Sequence, residues 1–345
     1  MFKRNIKRSG SWLLMLCMLL FLAACSSEGA NSTSTNEVKE EQTSEQPAEQ
    51  KTAEQKTDDQ QTEKEANKTR IISTVTGDVE VPTHPERVIV DWDLGHVLAL
   101  GVEPVGASKT ILEYGRFLEP YVTDQTQDIG GDGQVSVEKM LALNPDLIIT
   151  WDPKMVEQYS KVAPTVVYDT AKYDNIHEEI TAMGEILNRQ KEAEEWLSSF
   201  DKRVEAAKEK IKGVIPEDAT FSIIDVATTK STIVVGESGE RGGDALYQIL
   251  GVTPQPRVKS DIIDKGEIRL DVSWEKVGDY AGDYVFMVRN GEGSELELPS
   301  VWNSLDAVKN KRVYELDMKK YFTSDPLSAL LQAEEMAALL TGGQK

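Results

Sequence analysis

The sequence predicts an α/β protein of two similar lobes, each built on a central, mostly parallel sheet, joined by a single long α-helix. Three observations predict it. Short apolar runs alternate with amphipathic stretches along most of the chain, which implies parallel strands covered on both faces. The phrase SVEKMLALNPDLIIT, starting at Ser136, is echoed by SWEKVGDYAGDYVFM, starting at Ser273. Both open Ser-x-Glu-Lys, both carry an aspartate at the same offset (Asp146 and Asp283), and both end in an apolar run. Between the two phrases lies one long helical pattern, closed by Gly213 and Pro216.

In chain order, Thr83–Arg87 is a turn and Val88–Val90 a buried strand. Leu94–Leu100 is a helix stopped by Gly101, and Val105–Ala107 is the next strand. Ser136 is placed to cap a helix that ends at Asn144-Pro145, and Leu147–Ile149 is a core strand. Pro164–Tyr168 is another strand. Asn175 with Glu178 forms a capping box, after which Ile176, Ile180, Met183 and Leu187 share a face. From Lys191, Ala193, Trp196, Leu197, Phe200, Val204, Ala207 and Ile211 recur at helical spacing. Strands at Phe221–Asp225 and Ile233–Val235 follow, then a helix over Gly243–Leu250 and another from Ser273. Tyr284–Val288 and Arg312–Tyr314 are strands, and Pro326–Leu340 is a terminal helix. The repeated phrase therefore starts a helix that leads into a core strand in each half. Two unrelated helix caps are the alternative.

The N-terminus belongs to none of this. Lys3, Arg4, Lys7 and Arg8 precede an apolar run from Trp12 to Ala24, the pattern of a secretory signal over residues 1–24. Leu22-Ala23-Ala24-Cys25 resembles the bacterial lipobox, which implies cleavage before Cys25 and its acylation, and so attachment to a membrane. Residues 26–68 hold 11 acids and 5 bases and almost no apolar side chain. Such a segment cannot offset the entropy of ordering, so residues 25–68 are expected to be a lipidated cysteine and a disordered tether. The remaining domains are an N-terminal lobe over 69–188, a bridging helix over 189–214 and a C-terminal lobe over 215–345.

Several chemistries are excluded. Removing the four signal bases and the linker's −6 from the total charge of −21 leaves the folded part at −19, which argues against nucleic acid. The glycine-rich Gly236–Gly243 lacks the Gly-Lys-Ser/Thr ending of a phosphate loop, and no Gly-x-Ser-x-Gly elbow occurs. Cys17 falls in the signal, so the mature chain has no disulfide pair and no thiol for catalysis. His84, His96 and His177 are not at metal-binding spacing. No enzyme, cofactor or resident metal is expected.

An aromatic and cationic set on loops at strand ends stands out instead. Trp92 follows the first strand and Trp151 follows Leu147–Thr150, while Tyr114 and Arg116 lie after the second strand. Arg241 sits in the glycine-rich loop, Arg289 after Tyr284–Val288, and Tyr321 after the last strand. Ligands of open α/β sheets sit beyond the carboxyl ends of the strands. Aromatic faces and arginines in a cleft suit an oxygen-rich or anionic molecule with a carbon skeleton. For each residue the alternative is a rim or core side chain.

The chain resembles the substrate-binding lipoproteins of bacterial ABC importers for ferric siderophores, in the class with lobes bridged by one helix. The resemblance spans residues 70–342 and rests on Pro85-Glu-Arg-Val-Ile-Val90, Leu98-Ala-Leu-Gly-Val-Glu-Pro-Val-Gly106, Leu143-Asn-Pro-Asp-Leu-Ile-Ile149, Arg241-Gly-Gly-Asp-Ala-Leu-Tyr247, Trp302 with Ala307-Val-Lys-Asn310, Arg312-Val-Tyr314 and the two Ser-x-Glu-Lys segments. It implies a monomeric, lipid-anchored receptor outside the cytoplasm; the long tether points to a Gram-positive cell surface, an inner-membrane lipoprotein being the alternative. Such a receptor hands an iron–siderophore complex to a permease and its ATPase. It also implies that Glu138 and Glu275 dock onto permease arginines; equally, both would favour the N-terminal dipoles of their helices. Arg241-Gly-Gly and Tyr321–Ser328 look most like the hydroxamate binders. Haem, cobalamin, catecholate or citrate complexes are the alternative ligands.

Overall fold

The computed structural model describes residues 68–131, 134–226, 230–289 and 297–342. The expected signal, Cys25 and the tether up to residue 67 lie outside the described residues.

The fold begins with a hairpin absent from the sequence reading, β1 (Thr69–Thr74) and β2 (Gly77–Pro82), paired antiparallel. Arg70 pins it by donating to the carbonyls of Glu185 (2.6 Å) and Ile186. The N-terminal lobe then runs β3 (Val88–Val90), α1 (Leu94–Ala99), β4 (Gly106–Ala107), α2 (Lys109–Tyr114), β5 (Gln127–Asp128), α3 (Val137–Ala142), β6 (Leu147–Thr150), α4 (Val156–Tyr159), β7 (Thr165–Val167) and α5 (Ile176–Leu187). Its sheet has the order β5-β4-β3-β6-β7, parallel throughout. Strands β3, β6 and β7 are buried at every residue, as unbroken apolar runs covered by helices on both faces require.

Helix α6 (Gln190–Ile211) is 22 residues long, roughly 33 Å at 1.5 Å per residue. Ala193 belongs to the core of the N-terminal lobe, while Phe200, Val204, Ala207 and Ile211 belong to that of the C-terminal lobe. Trp196 packs against both cores. One amphipathic face thus serves two lobes in succession.

The C-terminal lobe comprises β8 (Phe221–Asp225), β9 (Ser231–Val235), α7 (Pro256–Asp261), β10 (Arg269–Ser273), β11 (Tyr284–Arg289), α8 (Ser300–Asn303), α9 (Asp306–Lys309), β12 (Val313–Asp317), α10 (Met318–Tyr321) and α11 (Pro326–Leu340). The sheet order is β10-β9-β8-β11-β12. Here β9 is antiparallel to both neighbours, because the few residues between Asp225 and Ser231 cannot make a crossover. The helix expected over Gly243–Leu250 is a π-turn over Asp244–Ile249, and the one expected from Ser273 is a 3₁₀ helix over Trp274–Asp279.

The structure accounts for the repeated phrase. Asp146 enters β6 and accepts the backbone N–H groups of Glu86 (2.8 Å) and Arg87 (2.9 Å), at the entry of β3. Asp283 enters β11 and accepts from the N–H and hydroxyl of Thr220, both at 2.8 Å, at the entry of β8. In each sheet β6 or β11 is the parallel neighbour of the first lobe strand. The aspartate holds the two central strands in register. Ser136 caps α3 through Lys139 N (3.2 Å), but Ser273 makes no such cap.

Helix α11 ties the lobes together a second time. Leu327 lies in the N-terminal core, whereas Ala329, Leu330, Ala333, Met336, Ala337 and Leu340 lie in the C-terminal one. Arg203 of α6 grips Glu334 with two bonds of 2.8 and 2.7 Å. Such a fork fixes both the distance and the rotation between the two helices.

Candidate functional site

Each sheet reverses its strand order at its centre, between β3 and β6 and between β8 and β11. Loops that leave adjacent strands in opposite directions open a crevice there. The predicted aromatics of the N-terminal lobe emerge at that point. Trp92 follows β3 and Trp151 follows β6, their ring centroids 6.3 Å apart. They are 38% and 55% exposed, among the few large apolar side chains left in solvent.

Asp91 fixes the loops that carry them. Its buried carboxylate accepts Thr150 Oγ1 at 2.5 Å and the Trp151 N–H at 3.4 Å, joining the ends of β3 and β6. Burial pushes the carboxyl up to about 6, against the pull of those two bonds.

From the other lobe Phe322 closes the cluster. Its ring lies 6.3 Å from Trp92 and 5.1 Å from Tyr114. The sequence reading named the neighbouring Tyr321, and the structure corrects it. Tyr321 is 1% exposed, meets Phe117 edge-on and donates its hydroxyl to Glu335 at 2.8 Å. Burial, reinforced by Glu335, drives the phenol well above its ordinary pKa. Adjacent side chains on a helical turn point about 100° apart, so only one of the Tyr-Phe pair can face Trp92. No periodicity in so short an element says which.

Charge enters from the C-terminal lobe. Asp225 ends β8 and receives Arg241 Nε at 2.5 Å. The pair is deep, with 11% of the arginine side chain and 3% of the aspartate exposed. Burial pushes the Asp225 carboxyl up and Arg241 pulls it back. Glu240 pairs with Arg241 and with Arg269 of β10. Arg241 holds φ of +61°, unusual for a residue with a side chain, and Gly242 follows at +84°. A Cβ on Gly242 would lie 2.7 Å from Met336 and 3.0 Å from the Tyr321 ring, so the loop lies flat on the core. The Ser324 hydroxyl donates to the Gly239 carbonyl, tying this loop to the segment that bears Phe322.

The other predicted cations also sit beside acids. Arg116 reaches Asp317 at 3.5 Å across the junction of the lobes, where its N–H donates to the Lys319 carbonyl at 3.1 Å. Arg289, at the end of β11, is 4.0 Å from Glu315. Glu138 and Glu275 are exposed in the first turns of α3 and of the 3₁₀ helix, after β5 and β10. Those turns stand at the same ends of the sheets as the aromatic loops. A backbone N–H, then the hydroxyls of Ser136 and Ser273, hold the two carboxyls below the usual range.

A cavity of about 210 Å³ lies at the opposite end of the C-terminal sheet, lined by Thr220, Asp283 and Arg312. It contains none of the aromatic cluster. Among the described residues no group of three or more His, Cys, Asp or Glu is placed to hold a metal ion, and no helix is long and apolar enough to cross a membrane. The arrangement offers broad ring faces and one oriented guanidinium.

Comparison with known proteins identifies the family and the fold. A model of the periplasmic binding protein family matches residues 94–319. The chain is 32% identical to an iron(3+)-hydroxamate-binding protein of Bacillus subtilis, YxeB, over 98% of this chain and 97% of that one. It is 37% identical to another from the same organism, FhuD, over 77% of this chain and 84% of that one. The crystal structure of a B. subtilis FhuD-fold binding protein of a ferrichrome ABC transporter superposes with a TM-score of 0.71 at 35% identity, covering 78% of this chain and 99% of that one. Staphylococcus aureus FhuD2 with bound ferrioxamine B gives 0.64 at 28%, covering 76% and 100%.

Proposed function

Because the chain belongs to the periplasmic binding protein family, a family of non-enzymatic transport components, we propose that it is the receptor of an iron importer. It binds a ferric siderophore of hydroxamate type at the junction of its lobes and passes it to an ABC permease driven by an ATPase. The observation that carries this reading is an aromatic cluster, exposed at Trp92 and Trp151 and half-buried at Tyr114 and Phe322, together with the mostly buried, oriented Arg241. Rings cover the carbon skeleton of such a complex, and a guanidinium edge donates to its iron-bound oxygens. Relatives named for hydroxamates share 32% and 37% identity, against 28% for one named for ferric citrate and 27% for one named for ferric enterobactin.

The remaining parts of the reading rest on the lipobox and on the family resemblance. Acylated Cys25 anchors the mature protein, a monomer, to the outer face of the cell membrane of a Gram-positive cell. Relatives named as lipoproteins support the lipid anchor alone. Glu138 and Glu275 meet the permease, one from each lobe.

The test uses the protein without its signal. Incubated with a panel of ferric chelates, it retains a ferric hydroxamate through gel filtration, identified by mass spectrometry. Arg241→Ala weakens that binding at least tenfold, read by quenching of tryptophan fluorescence. Equal quenching by wild type and variant at every ligand concentration would remove Arg241 from the site.

A further inference from the structure

The geometry points to Asp225 as the residue that sets which charge class of ferric complex the site accepts. This rests on the proposed ligand reading and makes it finer.

The charges around the candidate site are balanced pair by pair. Arg241 faces Asp225 and Glu240, Arg269 shares Glu240, Arg116 faces Asp317, and Arg289 lies near Glu315. Among the described residues Asp91 adds a carboxylate without a cation beside it: its two partners are the Thr150 hydroxyl and the Trp151 N–H. Arg241 therefore presents an oriented fork of N–H donors with little net positive charge. Asp225 is the deepest member of the set, 3% exposed, and bonds Nε, the edge of the guanidinium nearest its own chain. It fixes the direction of the fork and cancels its charge together.

That combination discriminates between ligands. Three hydroxamate anions neutralise a ferric ion, so a ferric trihydroxamate is uncharged at its centre, and its oxygens still accept hydrogen bonds. Three catecholate dianions leave a ferric tricatecholate trianionic. A trianion finds each of these arginines already offset and Asp91 left over, so it gains no net attraction, whereas the neutral complex needs none.

Asp225→Asn is the direct test, because asparagine keeps the shape and an oxygen to accept from Arg241 Nε while removing the charge. Dissociation constants for ferrichrome and ferric enterobactin are measured by tryptophan quenching on wild type, Asp225→Asn and Glu240→Gln. The expected result is a shift of the affinity ratio toward the tricatecholate, about tenfold for Asp225→Asn and smaller for the shared Glu240, shrinking as salt is raised. Loss of packing alone would lower both affinities together and leave the ratio in place. A ratio unchanged in whichever variant folds, with ferrichrome still bound by wild type, overturns the role of Asp225. Failure of wild type to bind ferrichrome overturns the hydroxamate reading instead.

Discussion

At the end of the N-terminal sheet two tryptophans lie side by side in solvent. At the matching end of the C-terminal sheet an arginine is sunk beside an aspartate. The two lobes share a scaffold down to the aspartate that clamps their central strands, yet they bring opposite chemistry to the junction. Exposed rings offer area, which is tolerant of shape and gains from removing water. A buried ion pair offers direction, because its hydrogen bonds work only in one orientation. The difference teaches that a duplicated frame leaves the loops beyond its strand ends free to diverge. Those loops are not needed to close the core.

The largest expected effect tests what the lobes have in common. Glu138→Arg with Glu275→Arg abolishes siderophore-dependent growth of cells while leaving the ligand affinity of the purified protein intact. Normal uptake by that double variant would mean the matched glutamates serve only their own helix ends. Next come the rings. Trp92→Ala with Trp151→Ala weakens ligand binding by about tenfold or more, each ring contributing of the order of 1 kcal/mol, whereas Phe at both positions restores most of it. Titration calorimetry reads this, and equal losses for Ala and Phe would make the contribution something other than ring area.

A smaller effect tests the shared clamp. Asp146→Ala and Asp283→Ala each leave two donors at a strand entry without their carboxylate, costing about 1 kcal/mol apiece. Thermal melts showing a loss at one site and none at the other would break the equivalence of the two phrases. A separate test concerns pH. Burial holds Asp93, at the start of α1, and Asp244, beside the Arg241 loop, protonated up to about 7 in the native state. The unfolded chain releases those protons near pH 4. The native protein thus binds more protons across that window, and its stability falls as pH rises from about 4 to 7. The neighbouring His96 is raised too: burial opposes its charge, while the bond to Glu179 (3.0 Å) and that carboxylate's charge favour it. Its contribution is present below its unfolded pKa and is lost as pH rises through the folded one, the same sign. Melts of Asp93→Asn, flatter with pH than wild type, check the share of that residue.

Much of the fold was legible because its signals are local. Val88–Val90 and Leu147–Ile149 are runs with no polar face to expose, and Asn175 and Ser136 cap their helices through their own side chains. The hairpin β1–β2 escaped because the adjacent Ile71 and Ile72 blur the apolar period of β1 and Arg70, which fixes it, finds its partners more than a hundred residues away. Trp92, Tyr114 and Trp151 were legible as aromatics on strand-end loops, and the structure brings them together. Phe322 was passed over for Tyr321 because two adjacent aromatics carry no mark of which one faces inward.

The sequence by itself determined two α/β halves, the long helix that joins them and the loops on which ligand chemistry sits. Those depend on hydrophobic period, helix caps and glycine or proline stops, all set within a few residues. Only the tertiary structure decided that Arg241 is charge-balanced by Asp225, that Phe322 rather than Tyr321 meets Trp92, and that α11 reinforces the bridge of α6. Each is an encounter between side chains distant in sequence. Burial makes such an encounter strong, and nothing local to either partner announces it.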